Sequence, residues 1–187
     1  MMNHRTTAAF GGRFALDGDD DVKLRAYDHG RDFDVLAAWV TDARTHALWC
    51  ANRVPYPASS HALFALLQEE ARTRGGQPYV AVDAMEQPVG FLVCAADPEA
   101  RTAFLKFVLV APEKRGMGHG TQMIRLMVRK AFEEMQMKSV KLNVFSVNAA
   151  AVRCYESVGF AVQSVQQEAF AFADERWDRW QMAVDRE

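Results

Sequence analysis

The segment Thr102–Val110 (TAFLKFVLV) runs straight into Ala111–Thr121 (APEKRGMGHGT) and from there into a long amphipathic stretch ending near Met135. The first part is apolar and β-rich, so it is predicted as a strand. From about Gly118 to Met135, the residues Ile124, Met127, Ala131, Phe132 and Met135 fall on one helical face. The outer face pairs Arg129 with Glu133 and Lys130 with Glu134 at i, i+4. Between strand and helix, Gly116, Gly118 and Gly120 let the backbone turn tightly and bring its N–H groups close to a ligand. They feed a helix N-terminus, whose unpaired N–H groups and positive dipole end attract anions. Strand, glycine-rich turn and helix in that order predict a phosphate cradle.

Other segments supply the elements around this unit. Val22–Tyr27 alternates as a strand, and Asp32 or Asp34 can cap a helix bearing Val35, Leu36, Trp39 and Val40. Residues 41–58, with Trp49, Pro55 and Pro57, are expected to turn. Ser59 or Ser60 then caps a helix with Leu63, Phe64 and Leu67 inward, ending near Gly75 and Gly76. Strands are expected at Pro78–Asp83, Pro88–Ala96 and Val140–Phe145, a short helix at Ala149–Val158, and final strands at Phe160–Phe172 and Trp177–Val184. Strands in runs with helices inserted make a mixed α/β or α+β fold.

At 187 residues the chain is the size of one domain. Residues 1–21, ending in Asp17, Asp19, Asp20 and Asp21, are expected to form a flexible tail, and 22–187 the folded domain. A net charge of −2 excludes a global basic field for nucleic acid or an anionic membrane. No apolar run approaches the ~20 residues of a spanning helix. Cys50, Cys94 and Cys154 are widely spaced and form no metal motif, so reduced thiols in a cytoplasmic protein without a metal are expected.

Two familiar phosphate cradles do not fit. No Gly-Lys-Ser/Thr run is present, and the dinucleotide pattern fails because Gly116 and Gly118 are followed by Thr121 where a third glycine belongs. Arg115-x-x-Gly118-x-Gly120, after Phe107–Val110, instead resembles the acyl-CoA signature of the GNAT superfamily of N-acetyltransferases. A second segment, Asn148 through Ala151, Tyr155, Glu156, Gly159 and Phe160, resembles that family's Asn-x-x-Ala…Tyr-Glu-x-x-Gly-Phe motif. The resemblance covers about residues 22–184. It implies a central mixed, mostly antiparallel sheet of about seven strands with about four helices.

The resemblance also implies an acetyl-CoA-dependent transfer to a primary amine, on a small molecule, a polyamine or a protein N-terminus. The backbone of Val108, Leu109 and Val110 would hold the acetyl carbonyl and pantetheine. Arg115 and the amides of Gly116, Met117, Gly118, His119, Gly120 and Thr121 would hold the pyrophosphate, and Asn148 the pantetheine arm. Tyr155 would meet the thioester sulfur as the catalytic acid. A homodimer is compatible with the family pattern. Part of the family carries a Glu five residues before the motif Asn, where this chain has Asn143, and an amide cannot act as a base. The base is left to an early carboxylate, a water chain, or no dedicated group. Asn143 also supports the rival expectation of a non-catalytic acyl-CoA sensor, and a dinucleotide oxidoreductase is a further rival.

The remaining candidates have simpler readings. His46 and His61 are expected on the surface, and His119 as a helix-start residue with a solvated ring. Trp39 is expected in the core and Trp177 and Trp180 in strand packing, while Trp49 suits either core or acceptor groove. Cys154 has no His or Asp at motif spacing and is not expected to act as a nucleophile.

Overall fold

The computed structural model describes residues 21–186, so all but Asp21 of the expected tail lies outside the described residues. The order is β1 (Lys23–Ala26), α1 (His29–Trp39), α2 (Ala43–Cys50), α3 (Ser60–Arg74), β2 (Gly76–Val82), β3 (Pro88–Asp97), β4 (Thr102–Val110), α4 (His119–Glu133), β5 (Ser139–Phe145), α5 (Ala149–Ser157), β6 (Ala161–Phe172) and β7 (Glu175–Asp185). A single 3-10 turn, Pro112–Lys114, follows β4. The seven strands form one sheet in the order β1-β2-β3-β4-β5-β7-β6. Every pairing is antiparallel except β4 with β5. This is the mixed, mostly antiparallel sheet that the family resemblance implies, with five helices among the described residues where about four were expected.

The two sheet faces are covered differently. Side chains alternate across a strand, so Val140, Leu142 and Val144 of β5 join Met123, Ile124, Met127 and Val128 of α4 in the larger core. Val80, Val82, Phe91 and Val93 face the other way, against Leu36 and Trp39 of α1 and Leu63, Leu66 and Leu67 of α3. Ala47 of α2, Phe145 and Trp177 make a third, smaller cluster. Phe172 stacks on Trp177 at 4.9 Å, and the Arg44 guanidinium lies 5.0 Å from the Trp177 ring. Trp39, Trp177 and Trp180 thus pack as expected.

Two local readings need correction. The cap of α1 is Asp28, whose Oδ1 accepts the Arg31 N–H at 2.9 Å, and neither Asp32 nor Asp34 serves. Helix start signals at Asp28 were masked by Gly30, which the first turn tolerates. The span 41–58 also holds a helix, α2, opened by Asp42 Oδ1 accepting from Thr45 N–H at 2.8 Å. At eight residues it is too short for periodicity to reveal, and the two prolines lie beyond it. Ser59 and Gly75 cap α3 as expected.

Asp32 takes a different part. It is 1% exposed and receives both terminal nitrogens of Arg25 at 2.8 Å, the Asp28 N–H at 2.8 Å and Arg31 Nε at 3.2 Å. Burial alone would raise its pKa, but these donors outweigh it and hold the carboxyl below its ordinary value. A depressed carboxyl pKa stabilises the fold above the unfolded value, near pH 4, and that contribution is lost as pH falls below it. Asp32→Ala is expected to cost about 2–3 kcal/mol at pH 7, at the low end for a broken buried pair because Arg25 keeps some solvent. Urea denaturation should show the gap to wild type narrowing below pH 4; a gap independent of pH would contradict the ion-pair account.

Candidate functional site

The parallel ladder between β4 and β5 is short. It runs from Thr102↔Ser139 to Leu105↔Leu142 and then stops, although β4 continues to Val110 and β5 to Phe145. Past Leu105 the strands diverge, and β4 carries a bulge: Phe107 has φ +51° and the β3–β4 register shifts between Phe91 and Val93. The Phe107 carbonyl, turned out by the bulge, accepts the Trp49 indole N–H at 2.9 Å. The backbone of Val108, Leu109 and Val110 therefore borders an opening in the sheet.

That opening is part of a cleft of about 1890 Å³. Its walls bring together Val108 to Val110, Lys114, Arg115, Gly116, Gly118, Gly120 and Thr121 with Asn143, Asn148, Cys154 and Tyr155. Pockets for small ligands occupy roughly 300–1,000 Å³, so this one has room for a large ligand and a second reactant. Met117 is 65% exposed and His119 half-buried, and neither side chain lines the cleft.

The glycine-rich loop has the geometry of an anion site. Gly116 and Gly118 adopt φ +75° and +86°, values that side-chained residues rarely take. Gly118 is the residue before the first turn of α4, and no side chain caps that helix. Among the described residues, the backbone N–H groups of residues 116–121 have no hydrogen-bond partner, and the first bond in the run is Gln122 N–H to the Gly118 carbonyl at 3.0 Å. Six consecutive free amides at the positive end of a fifteen-residue helix fit a pyrophosphate. Gly120 also has a steric duty, since a Cβ there would lie 3.2 Å from Val110 Cγ2 and 3.7 Å from Cys154 Sγ. Arg115 bends back so that its Nε donates to the Val110 carbonyl at 3.2 Å.

The second motif forms the facing wall. Asn148 caps α5, its Oδ1 accepting from Ala151 N–H at 3.2 Å, and it lines the cleft with an amide NH₂ that has no partner among the described residues. Tyr155 is buried in the larger core, with its ring 5.9 Å from that of Phe160, yet it also lines the cleft. Its hydroxyl has no hydrogen-bond partner among the described residues and is not closed off from solvent. Burial drives its pKa well above the ordinary tyrosine value, and the Cys154 thiol adds to the rise. Tyr155 therefore stays protonated and presents a free donor. Cys154, at 3.5 Å from Thr121 Oγ1, is kept neutral by burial, which outweighs that hydroxyl; it is no nucleophile.

Histidines depart from expectation. His46 is fully buried, with Nδ1 3.0 Å from Asn52 Oδ1 and Nε2 3.4 Å from Cys50 Sγ. It sits on the inner face of α2, the helix that sequence periodicity did not reveal. His119 opens α4 as expected, but its Nδ1 is enclosed without a partner and its ring is not freely solvated. His61 is exposed as expected. Trp49 belongs to both core and cleft, because its ring packs beneath α1 while its edge fixes the bulge.

A profile of the acetyltransferase (GNAT) family matches residues 41–160. The chain belongs to that family. Membership makes it an acetyl-CoA-dependent acyltransferase, acting on an amine. The spermidine N-acetyltransferase from Vibrio cholerae in complex with CoA and spermine superposes at a TM-score of 0.76, with 22% identity over 89% of this chain and 96% of that one. A dodecameric structure of the Vibrio cholerae enzyme in an intermediate state gives 0.69, with 22% identity over 89% and 95%. At this identity the likeness establishes a shared fold. No helix among the described residues is long and apolar enough to cross a membrane.

The Trp49 contact yields a test of how this acetyltransferase holds its cleft open. Trp49→Phe keeps most of the buried ring and deletes the donor to Phe107. A loss of about 1 kcal/mol is expected in urea denaturation, with faster amide exchange confined to residues 106–110. Unchanged exchange there would mean that the bulge does not depend on the indole.

Proposed function

We propose that this chain transfers the acetyl group of acetyl-CoA to a primary amine by direct attack on the thioester, with the amides of residues 116–121 as the pyrophosphate cradle and Tyr155 as the acid. One observation carries the reading: Gly116, Gly118, Gly120 and Thr121, whose amides have no partner among the described residues, and a free, protonated tyrosine hydroxyl line the same cleft. The exposed backbone of Val108–Val110 lies between them, where an extended pantetheine arm can pair as a strand would. Asn148 faces that arm with its amide NH₂. The divergence of β4 and β5 lets an amine approach the acetyl carbon from the opposite side.

Each group has a defined share in the barrier. Positioning two reactants in one cleft supplies several kcal/mol by raising effective concentration, ~7 kcal/mol or more in well-aligned cases. A thiolate leaves with pKa near 8.5 and tyrosine ordinarily has about 10, so early proton transfer is uphill by ~2 kcal/mol, and burial makes it more so. Tyr155 thus acts first by hydrogen-bonding the developing thiolate and gives up its proton as the thiol departs. A sensor that only binds acyl-CoA has no use for a hydroxyl aimed at that position.

Among the described residues, no carboxylate or histidine of the cleft lining stands beside Val108 to act as base, and the buried Glu70 is held by Lys106 and Arg53. The carboxylates lining the cleft are Asp97 and Glu99, in the β3–β4 turn. Six strand residues, ~20 Å, separate that turn from Val108. Asp32 is sealed in its ion pair, Asp42 caps α2, and His46 is sealed by Asn52 and Cys50. Asn143 lines the cleft opposite Gln181. The amine therefore loses its proton to water, directly or through a water held by these amides. Spermine in the relative's complex supports an amine as acceptor, and that relative's dodecameric state supports an oligomer without singling out a dimer.

Three measurements test this. Tyr155→Phe should lower turnover by about 10²–10⁴-fold with acetyl-CoA binding nearly intact; wild-type turnover would return Tyr155 to the core alone. Gly118→Val places a β-branched side chain at φ +86°. It should reduce acetyl-CoA affinity at least tenfold in calorimetry, and unaltered affinity in folded protein would remove the cradle. Finally, log(kcat/KM) should rise with unit slope up to the pKa of the acceptor amine and then level. An inflection that stays put when the acceptor is changed would reveal an enzymic base.

A further inference from the structure

The cleft is strongly asymmetric in charge. Eight lysine and arginine side chains line it, against the two carboxylates of the β3–β4 turn. Lys114, Arg115 and Arg153 lie beside the amide cradle and α5 and suit the phosphates of CoA. That leaves a second group on the other side of the sheet. Lys141, Asn143 and Phe145 of β5 face away from α4, because Val140, Leu142 and Val144 face toward it. Register places Gln181 opposite Asn143 and Arg179 opposite Phe145 on that same face. Phe104 pairs with Lys141, so Lys106, two residues on, continues the face along β4. Arg53, just beyond α2, lines the same cleft.

These cations are incompletely neutralised. Glu70, 1% exposed, is shared between Lys106 and Arg53, two positive charges for one negative. Arg179 donates to the neutral Gln166 Oε1. Lys141 has no ion-pair partner among the described residues. A polyamine with several positive charges entering here would meet like charges from β4, β5, β7 and the end of α2, and the carboxylate beside them, Glu70, is already shared by Lys106 and Arg53.

We propose that the acceptor is an acidic amine, a primary amine whose own carboxylates are held by Lys141, Arg179 and the Lys106–Arg53 pair while its nitrogen faces the opening between β4 and β5. This rests on the acetyl-transfer reading above and narrows its substrate class. The chemistry is shared by a free acidic amino acid and by a peptide with an acidic N-terminal sequence.

Initial rates of CoA release distinguish the cases. Glutamate and glutamine are a matched pair with one carboxylate of difference, as are two peptides bearing Asp-Asp or Asn-Asn after a common first residue, and spermidine is the polycation. The acidic member of at least one pair should have a kcat/KM at least tenfold higher than its neutral partner and higher than spermidine, and the pair that responds identifies the source. That advantage should shrink as salt is raised from ~20 to ~200 mM, as screening of exposed charges requires. Lys141→Glu and Arg179→Glu should each erase most of it through KM. Spermidine equal to or faster than the acidic acceptors, or neutral partners as fast as acidic ones, would overturn the proposal and leave acetyl transfer standing. No CoA release with any acceptor, in protein that binds acetyl-CoA, would overturn acetyl transfer and this proposal with it.

Discussion

Everything chemical in this fold depends on one short ladder of hydrogen bonds coming to an end. Among the described residues β4 and β5 are the one parallel pair of the sheet, and they stay paired only from Thr102 to Leu105. Parallel strands need a crossover, and here the crossover is α4 with the glycine-rich loop at its start. The loop is consequently placed at the carboxyl end of β4, beside the point where the ladder opens. Backbone groups left unpaired inside a protein are costly unless something satisfies them. In the proposed reading, an extended amide-bearing ligand would do so for the outer half of β4, and phosphate for the first turn of α4. Unmet backbone bonding capacity is thus the common currency of both halves of the binding site.

Around this opening the protein invests in rigidity. The Phe107 carbonyl is held by the Trp49 indole, and α4 is pinned to α5 by Thr121 and Cys154. The larger core clamps α4 against β5 through Ile124, Met127, Leu142 and Val144. On the other face, α2 is tied to β7 by the Arg44–Glu175 ion pair and the aromatic cluster beneath it. Sites of this kind work by holding groups at fixed separations, and the fixed parts lie on strands and helices rather than on the exposed loops.

The sequence disclosed the parts of this arrangement that rest on local chemistry. β4 was legible to the residue, because Thr102–Val110 is uniformly strand-forming and is closed by Pro112. Ser59 and Gly75 marked α3 because caps use particular residue types for particular backbone angles. α2 was hidden because eight residues give periodicity little to work with, and the true cap Asp28 was hidden behind a glycine. Tyr155, Asn148 and the loop glycines Gly116, Gly118 and Gly120, singled out by the family resemblance, do line one cleft. What spacing could not convey is that the ladder stops at Leu105, that Lys106 and Arg53 share one buried carboxylate, or that His46 is sealed inside. Those are facts of register and burial, which arise only when distant strands meet.

Cys94, inside the sheet, is pushed up to about 11 by burial, and Cys50 and Cys154 are shifted in the same direction for the same reason. Exchange with a disulfide requires a thiolate. The cleft is lined by Cys50 and Cys154, and in an enzyme whose cosubstrate yields a thiol product their raised pKa values disfavour a competing sulfur anion there. Oxidised CoA that enters finds protonated, recessed sulfurs and has little chance to become tethered. Burial of these side chains thus does more than fill the core: it lowers the thiolate fraction through which they could exchange with a disulfide.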